Sequence, residues 1–220
     1  MIKRKYKIEG CFMDDAHKFA FIHIYKNASI SLRNILKMRG KYHVWNDVKE
    51  EKPITICIIR DPGLRCISAY LYLLRLEDNG RPDQHPVEIT KETDFYKNKD
   101  NIEESFDQFL DYIEENGFYD AVTLPQVDFL RDRGLSINDI DEILIQDGYD
   151  GLSFDFEQFR KKYNLPEDLK IPSDNQSPDH LTQILIDALH NDSNRFNRVF
   201  KLYTEDEDMY MNILASRCKI

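Results

Sequence analysis

Two segments of this chain carry basic residues where a strand turns into a helix. Phe21 to Leu32 (Phe-Ile-His-Ile-Tyr-Lys-Asn-Ala-Ser-Ile-Ser-Leu) reads as a buried strand, a short turn holding Lys26, then a helix start. A helix N-terminus leaves backbone N–H groups unpaired, and its dipole favours an anion there. Ala28, Ser29, Ile30 and Ser31 are expected to supply those N–H groups. Asn27 shares the turn, and small Ala28 and Ser29 let an anion approach. Ser29 and Ser31 add hydroxyls, and Lys26 adds a mobile point charge. Leu32, Ile35 and Leu36 continue as an apolar stripe, with Gly40 as the expected helix stop.

The second segment, Ile58 to Tyr70, is again an apolar strand, then Arg60, then a helix with Asp61 as N-cap and Pro62 as first residue. Arg60 falls at the carboxyl end of its strand, where open α/β sheets bind ligands. Ser68 could share a phosphate with it, and Arg65, one turn earlier, either helps or is structural. A lone loop lysine is ordinarily solvated, and Arg-Asp-Pro is ordinarily a helix cap. The two together, on neighbouring parallel strands, point to a ligand with two separate phosphate groups. The Walker pattern of ATPases is absent: the lysine precedes a turn that has no glycine, so the usual Mg²⁺ arrangement is not supported.

The pair resembles the signature of the sulfotransferases that use PAPS, the doubly phosphorylated sulfate donor. In motif it is similar to the Golgi-type carbohydrate sulfotransferases and their bacterial and viral relatives. In that family a Pro-Lys-Thr-Gly/Ala-x-Thr/Ser-Ser-like loop holds the 5′-phosphosulfate; here the string is Tyr25-Lys26-Asn27-Ala28-Ser29-Ile30-Ser31. A later strand ends in Arg-Asp-Pro-x-x-Arg-x-x-Ser-x-Tyr, which holds the 3′-phosphate through its first Arg and its Ser. That string runs without a gap from Arg60 to Tyr70. Tyr25 and Asn27 depart from the family's proline and threonine. Weaker echoes are Ser105 to Ile113, Pro125-Gln126 and the last helix, Tyr203 to Tyr210.

The resemblance implies sulfuryl transfer from PAPS to a hydroxyl, with a carbohydrate as the expected acceptor class. It implies in-line attack on sulfur, release of the bisphosphate PAP, and no metal. Lys26 is expected to stabilise charge on the bridging oxygen, as a preorganised cation does. Lys26 to Ser31 with Arg60 and Ser68 are expected to bind the donor. The acceptor needs a general base. His43, in Lys41-Tyr42-His43-Val44-Trp45, is the first candidate, with Asp47 and Glu50 as rivals and a half-buried strand histidine as the ordinary alternative. His23 reads as a core residue or as one that supports the site from behind.

These residues must be positioned by an α/β domain. The expected fold is a P-loop-like three-layer arrangement, a central parallel sheet flanked by helices with a helical C-terminal part. One domain is expected over 1–220, with a donor-binding core over about 19–75. Strands are expected near 19–24, 41–45 and 54–59, Glu142 to Gln146 reads as a further strand or a helix, and the apolar runs at 19–24 and 54–59 fit a sheet covered on both faces. The polar stretch 77–100, with Arg75 and Arg81 at its base, reads as a lid or acceptor loop. Ile171 to Pro178 reads as a loop, with Asn175 and Ser177 as weak donor candidates. Capping boxes are expected at Asn101 to Glu104 and Thr204 to Glu207.

Composition bounds the rest. A 220-residue chain with 41% hydrophobic and 32% charged residues fits a globular protein. A net charge of −10 argues against general nucleic-acid binding but leaves an anionic ligand open, because Lys26, Arg60 and Arg65 are basic. Cys11, Cys57, Cys66 and Cys218 show no CxxC or zinc spacing and are expected as reduced thiols. The six histidines show no metal-binding spacing. The basic start, Met1 to Lys7, lacks a following apolar stretch, so no membrane anchor and a cytoplasmic location are expected. Oligomeric state is not legible. Two other function classes stay open: a P-loop-type nucleotide-dependent kinase, and a non-catalytic relative that binds a nucleotide or an anionic glycan.

Overall fold

The computed structural model describes residues 8, 10–38, 42–78, 93–118, 121–146, 151–171 and 180–218. Its contacts group the chain into two compact units, each discontinuous in sequence. One comprises 7–61, 125–176 and 209–220 and holds the sheet; the other comprises 1–6, 62–124 and 177–208 and is helical where described. The fold is α/β and mostly helical.

The sheet has five strands in the order β3-β1-β2-β4-β5. They are β1 (Gly10–Met13), β2 (Phe19–Ile22), β3 (Tyr42–Val44), β4 (Ile54–Arg60) and β5 (Glu142–Gln146). β2, β4 and β5 are parallel, as the sequence predicts for the first two. The expectation of a wholly parallel sheet needs correction, because β1 and β3 add antiparallel pairings. The cause is connection length. Only Asp14 to Lys18 separate β1 from β2, which suits a hairpin and is too short for a parallel crossover. The turn is held by Asp14, whose carboxylate accepts the Phe19 N–H at 2.8 Å.

One sheet face is buried by Phe12, Phe19, Phe21, Ile56, Ile58 and Leu144. Helices α1 (Ser29–Ile35) and α7 (Gly151–Lys162) cover it with Leu32, Leu36, Leu152, Phe156 and Phe159. Residues of the alternate parity, among them Ala20, Ile22, Cys57 and Ile59, are completely buried too. Helix α1 stops at Ile35, earlier than the Gly40 stop expected. Lys37, at φ 54°, takes the left-handed position, and Met38 N–H closes on Arg33 O at 2.8 Å while Lys37 N–H reaches Asn34 O. Gly40 lies outside the described residues. This unit also holds α2 (Trp45–Val48), α6 (Gln126–Arg131) and the later part of α10 (Thr204–Arg217). The edge strand β5 is protected: Asp155 accepts Ile145 N–H at 2.6 Å, and Arg217 bonds both Asp155 and Ile143 O.

The helical unit contains α3 (Pro62–Asp78), α4 (Asp94–Lys97), α5 (Ile102–Asn116), α8 (His180–Asn191), α9 (Ser193–Leu202) and the start of α10. Pro62 opens α3, as its fixed φ favours. Part of the stretch expected as an irregular lid is ordered instead. α3 runs to Asp78, and α4 buries Phe95. The remainder, including Arg81, lies outside the described residues, as do Asn175 and Ser177. The first of the expected capping boxes is replaced. Asn101 Nδ2 donates to Glu104 Oε2 rather than to backbone, and Thr204 Oγ1 donates to Phe200 O and Lys201 O, closing α9. Buried Arg195 joins α9 to α5 through a bidentate pair with Asp107, 2.7 Å on each side.

Candidate functional site

Arg60 ends β4, and Lys26 lies in the turn that follows β4's parallel neighbour β2 in the sheet unit. β2 pairs with β4 only as far as Ile22 opposite Cys57. Beyond that point the chain leaves the sheet through Tyr25 and Lys26, and β4 runs on alone on that side to Arg60. The backbone groups so exposed are claimed by two side-chain amides. Asn27 Nδ2 donates to Ile58 O at 2.7 Å. Gln126 Nε2 donates to Arg60 O at 2.8 Å, while its Oε1 accepts Arg60 N–H at 3.0 Å and Asn27 Nδ2 at 2.6 Å. Asn27 and Gln126 are both completely buried. They stand in for the missing strand and fix the turn against the strand end.

Arg60 closes the arrangement from the other direction: its Nη1 donates to Lys26 O at 3.2 Å. Lys26 and Ala28 both have positive φ, 69° and 50°, where glycine would be unstrained. Such strain is held only where the surroundings over-determine the backbone, and here the Asn27, Gln126 and Arg60 bonds do so. Arg60 and Lys26 are half-buried, and Ile30 is 58% exposed at the start of α1. A compact turn with two basic side chains beside it can hold an anion.

The expected amide donors are partly corrected. Ser31 N–H is taken by Ala28 O at 3.1 Å, and Ser31 is buried at 1% exposure. Ser31 therefore packs beneath the turn. Asn27, grouped with the ligand contacts in sequence, has both of its amide donor bonds inside the protein. Ala28, Ser29 and Ile30 carry the backbone that leads out of the turn.

Ser68 lies in α3 of the helical unit and is half-buried. Two other polar members of the Arg60 to Tyr70 string are structural within that unit. Arg65 is fully buried, with Nη2 donating to Val122 O at 3.3 Å, and its charge is countered by buried Asp206. Burial pushes its pKa down, Asp206 pushes it back up, and Arg65 adds no surface charge for a ligand. Tyr70 is also fully buried and donates to Ser105 Oγ at 2.6 Å.

His43 is not at the strand end that carries Arg60. It sits on β3 opposite Cys11, with its ring 5.5 Å from that of His17. The register places it in the row of Cys57, three strands across from β4 and three residues short of Arg60. At about 4.8 Å per strand and 3.3 Å per residue, the two Cα atoms are roughly 17 Å apart. Asp47 and Glu50 are exposed, in α2 and the 3₁₀ turn Lys49–Glu51. His23 is a core residue: burial holds its pKa down at about 3, with help from Arg33 and Arg133. It packs on Tyr25 at 4.4 Å and Phe12 at 5.5 Å.

Gln126 is the organising residue, and the sequence, which offers Pro125-Gln126 only as a weak echo of the family, gives it no role. Arg133 is another. It is buried and donates Nε to Gly10 O at 2.8 Å, tying β1 to the segment after α6. Burial pushes its pKa down to about 10. Among the described residues no cluster of His, Cys, Asp or Glu could hold a metal ion, and no helix is long and apolar enough to cross a membrane. Cys11, Cys57 and Cys66 are buried free thiols, pushed up to about 11, 12 and 12 chiefly by burial, and Cys218 is an exposed free thiol. Comparison with protein-family models, with curated protein sequences and with solved structures found no match to this chain.

Proposed function

We propose that this chain transfers a sulfuryl group from PAPS to the hydroxyl of an acceptor, a carbohydrate by class, on a P-loop-like sheet. The observation that carries the reading is the bond from Arg60 Nη1 to Lys26 O. It ties together the two basic turns whose strings resemble the 5′- and 3′-phosphate motifs of the family. In this reading the acceptor oxygen attacks sulfur, the bond from sulfur to the bridging oxygen breaks, and PAP departs with that electron pair. Lys26 stabilises the charge on the departing oxygen. Arg60 holds the 3′-phosphate as a fixed cationic donor. The acceptor proton passes to a general base.

A second reading has its own support. The roughly 17 Å between the Cα atoms of His43 and Arg60 sets the first candidate base well away from the strand end that carries Arg60. A relative that binds the nucleotide or an anionic glycan without turnover fits that distance.

Calorimetric titration of PAP, ATP and ADP into the purified protein with excess EDTA tests the donor site. Metal-independent PAP binding with weak ATP binding is expected. ATP binding that requires Mg²⁺ would favour a kinase. Incubation with labelled PAPS and a hydroxyl-acceptor panel then separates transfer from binding alone.

A further inference from the structure

We propose that Gln146 recognises the ribose of the bound nucleotide through the 2′-hydroxyl next to the phosphate held by Arg60. The inference rests on the donor reading above and extends it to a residue that neither motif contains. Gln146 ends β5, and its Cα is the registered partner of Arg60 across the parallel β4–β5 pair. Side chains at registered positions leave the same sheet face, with strands about 4.8 Å apart. Arg60 turns toward β2, where its Nη1 meets Lys26 O. Gln146 thus stands on the other side of Arg60, at the same strand ends.

The carboxamide of Gln146 is incompletely used. Its Oε1 is buried and has no hydrogen-bond partner among the described residues. A buried acceptor left unmatched is costly and calls for a donor. Asn27 Oδ1 is unmatched too, but Asn27 is completely enclosed and its Nδ2 is bound on two sides. Gln146 itself is only partly buried.

The chemistry selects a hydroxyl. A hydroxyl both donates and accepts, so it satisfies the carboxamide in either amide orientation. On a ribose bearing a 3′-phosphate, the group adjacent to that phosphate is the 2′-hydroxyl. A neutral amide beside Arg60 also leaves the anion site intact, where a carboxylate would repel the phosphate.

The test is calorimetry of the full chain with PAP and with its 2′-deoxy analogue. The parent is expected to bind the analogue about 3- to 10-fold more weakly, the range of one neutral hydrogen bond. In Gln146→Ala, and in Gln146→Met, which keeps the side-chain length, PAP affinity is expected to fall to that of the analogue, so the preference disappears. Equal binding of the two ligands by the parent overturns the proposal, as does a preference that survives both substitutions. Absence of PAP binding by the parent overturns the donor reading itself and this proposal with it, which sets that failure apart from the other two.

Discussion

The side-chain amide of Gln126 grips the backbone of Arg60 on both polar atoms, donating to its carbonyl at 2.8 Å and accepting its N–H at 3.0 Å. The same Oε1 accepts from Asn27 Nδ2, so one buried amide links α6, the end of β4 and the turn after β2. A strand that loses its neighbour must find other partners for its N–H and C=O groups. This chain supplies them from two side chains, and the result is a turn fixed against the strand end that carries Arg60.

Gln126→Leu should therefore be costly. It leaves buried groups of Arg60 and Asn27 without partners, each worth about 1–3 kcal/mol. A loss of about 2–4 kcal/mol is expected in denaturant unfolding. Gln126→Glu keeps the acceptor but removes the donor to Arg60 O and buries a charge, so it should not restore stability.

Lys26→Ala should leave folding nearly unchanged, because the Arg60 bond uses the Lys26 carbonyl rather than its ammonium. Under the sulfotransferase reading turnover falls by about 10²–10³-fold with a much smaller change in PAP affinity. Single-turnover kinetics with labelled PAPS reads the difference.

Arg60→Ala should weaken PAP binding and loosen the turn together, since one guanidinium serves both. Arg60→Lys keeps the charge but loses the planar fork. It should recover part of the affinity at most. Calorimetry on both variants beside the parent reads this, and unchanged affinity in both would remove Arg60 from the site.

His43→Ala should retain transfer within a few-fold of the parent. The basis is the sheet register, which sets its Cα roughly 17 Å from that of Arg60. A loss as large as that of Lys26→Ala would show that the acceptor path passes over β3 and would restore His43 as the base.

Stability should fall in mild acid through His23. Its folded pKa, about 3, lies below the ordinary value of 6.5, so the unfolded chain binds the proton more readily. The neutral-state stability is complete above pH 6.5 and declines as pH falls from there toward 3. Between pH 7 and 4.5 the loss should be about 2–3 kcal/mol from this group. Unfolding of His23→Phe at both pH values should show a correspondingly smaller drop.

Local chemistry was sufficient for much of the sheet. The apolar runs at Phe19 to Ile24 and Ile54 to Ile59 marked parallel strands, because residues buried on both faces leave no alternation. Asp61-Pro62 marked the start of α3, because fixed φ and a missing N–H suit a first helical position. Cys11-Phe12-Met13 is not legible as a strand in the sequence, since three apolar residues after Gly10 carry no period. Only its hairpin with β2 makes it one. The string from Arg60 to Tyr70 looked uniform as chemistry, yet Arg65 and Tyr70 point into packing and Arg60 does not. Sequence spacing ranks residues along a helix but does not say which side meets Asp206, Val122 O or Ser105. Gln126, 66 residues from Arg60, could be joined to it only by the tertiary fold, because a side chain can replace a strand only where the absent strand has left backbone groups unpaired.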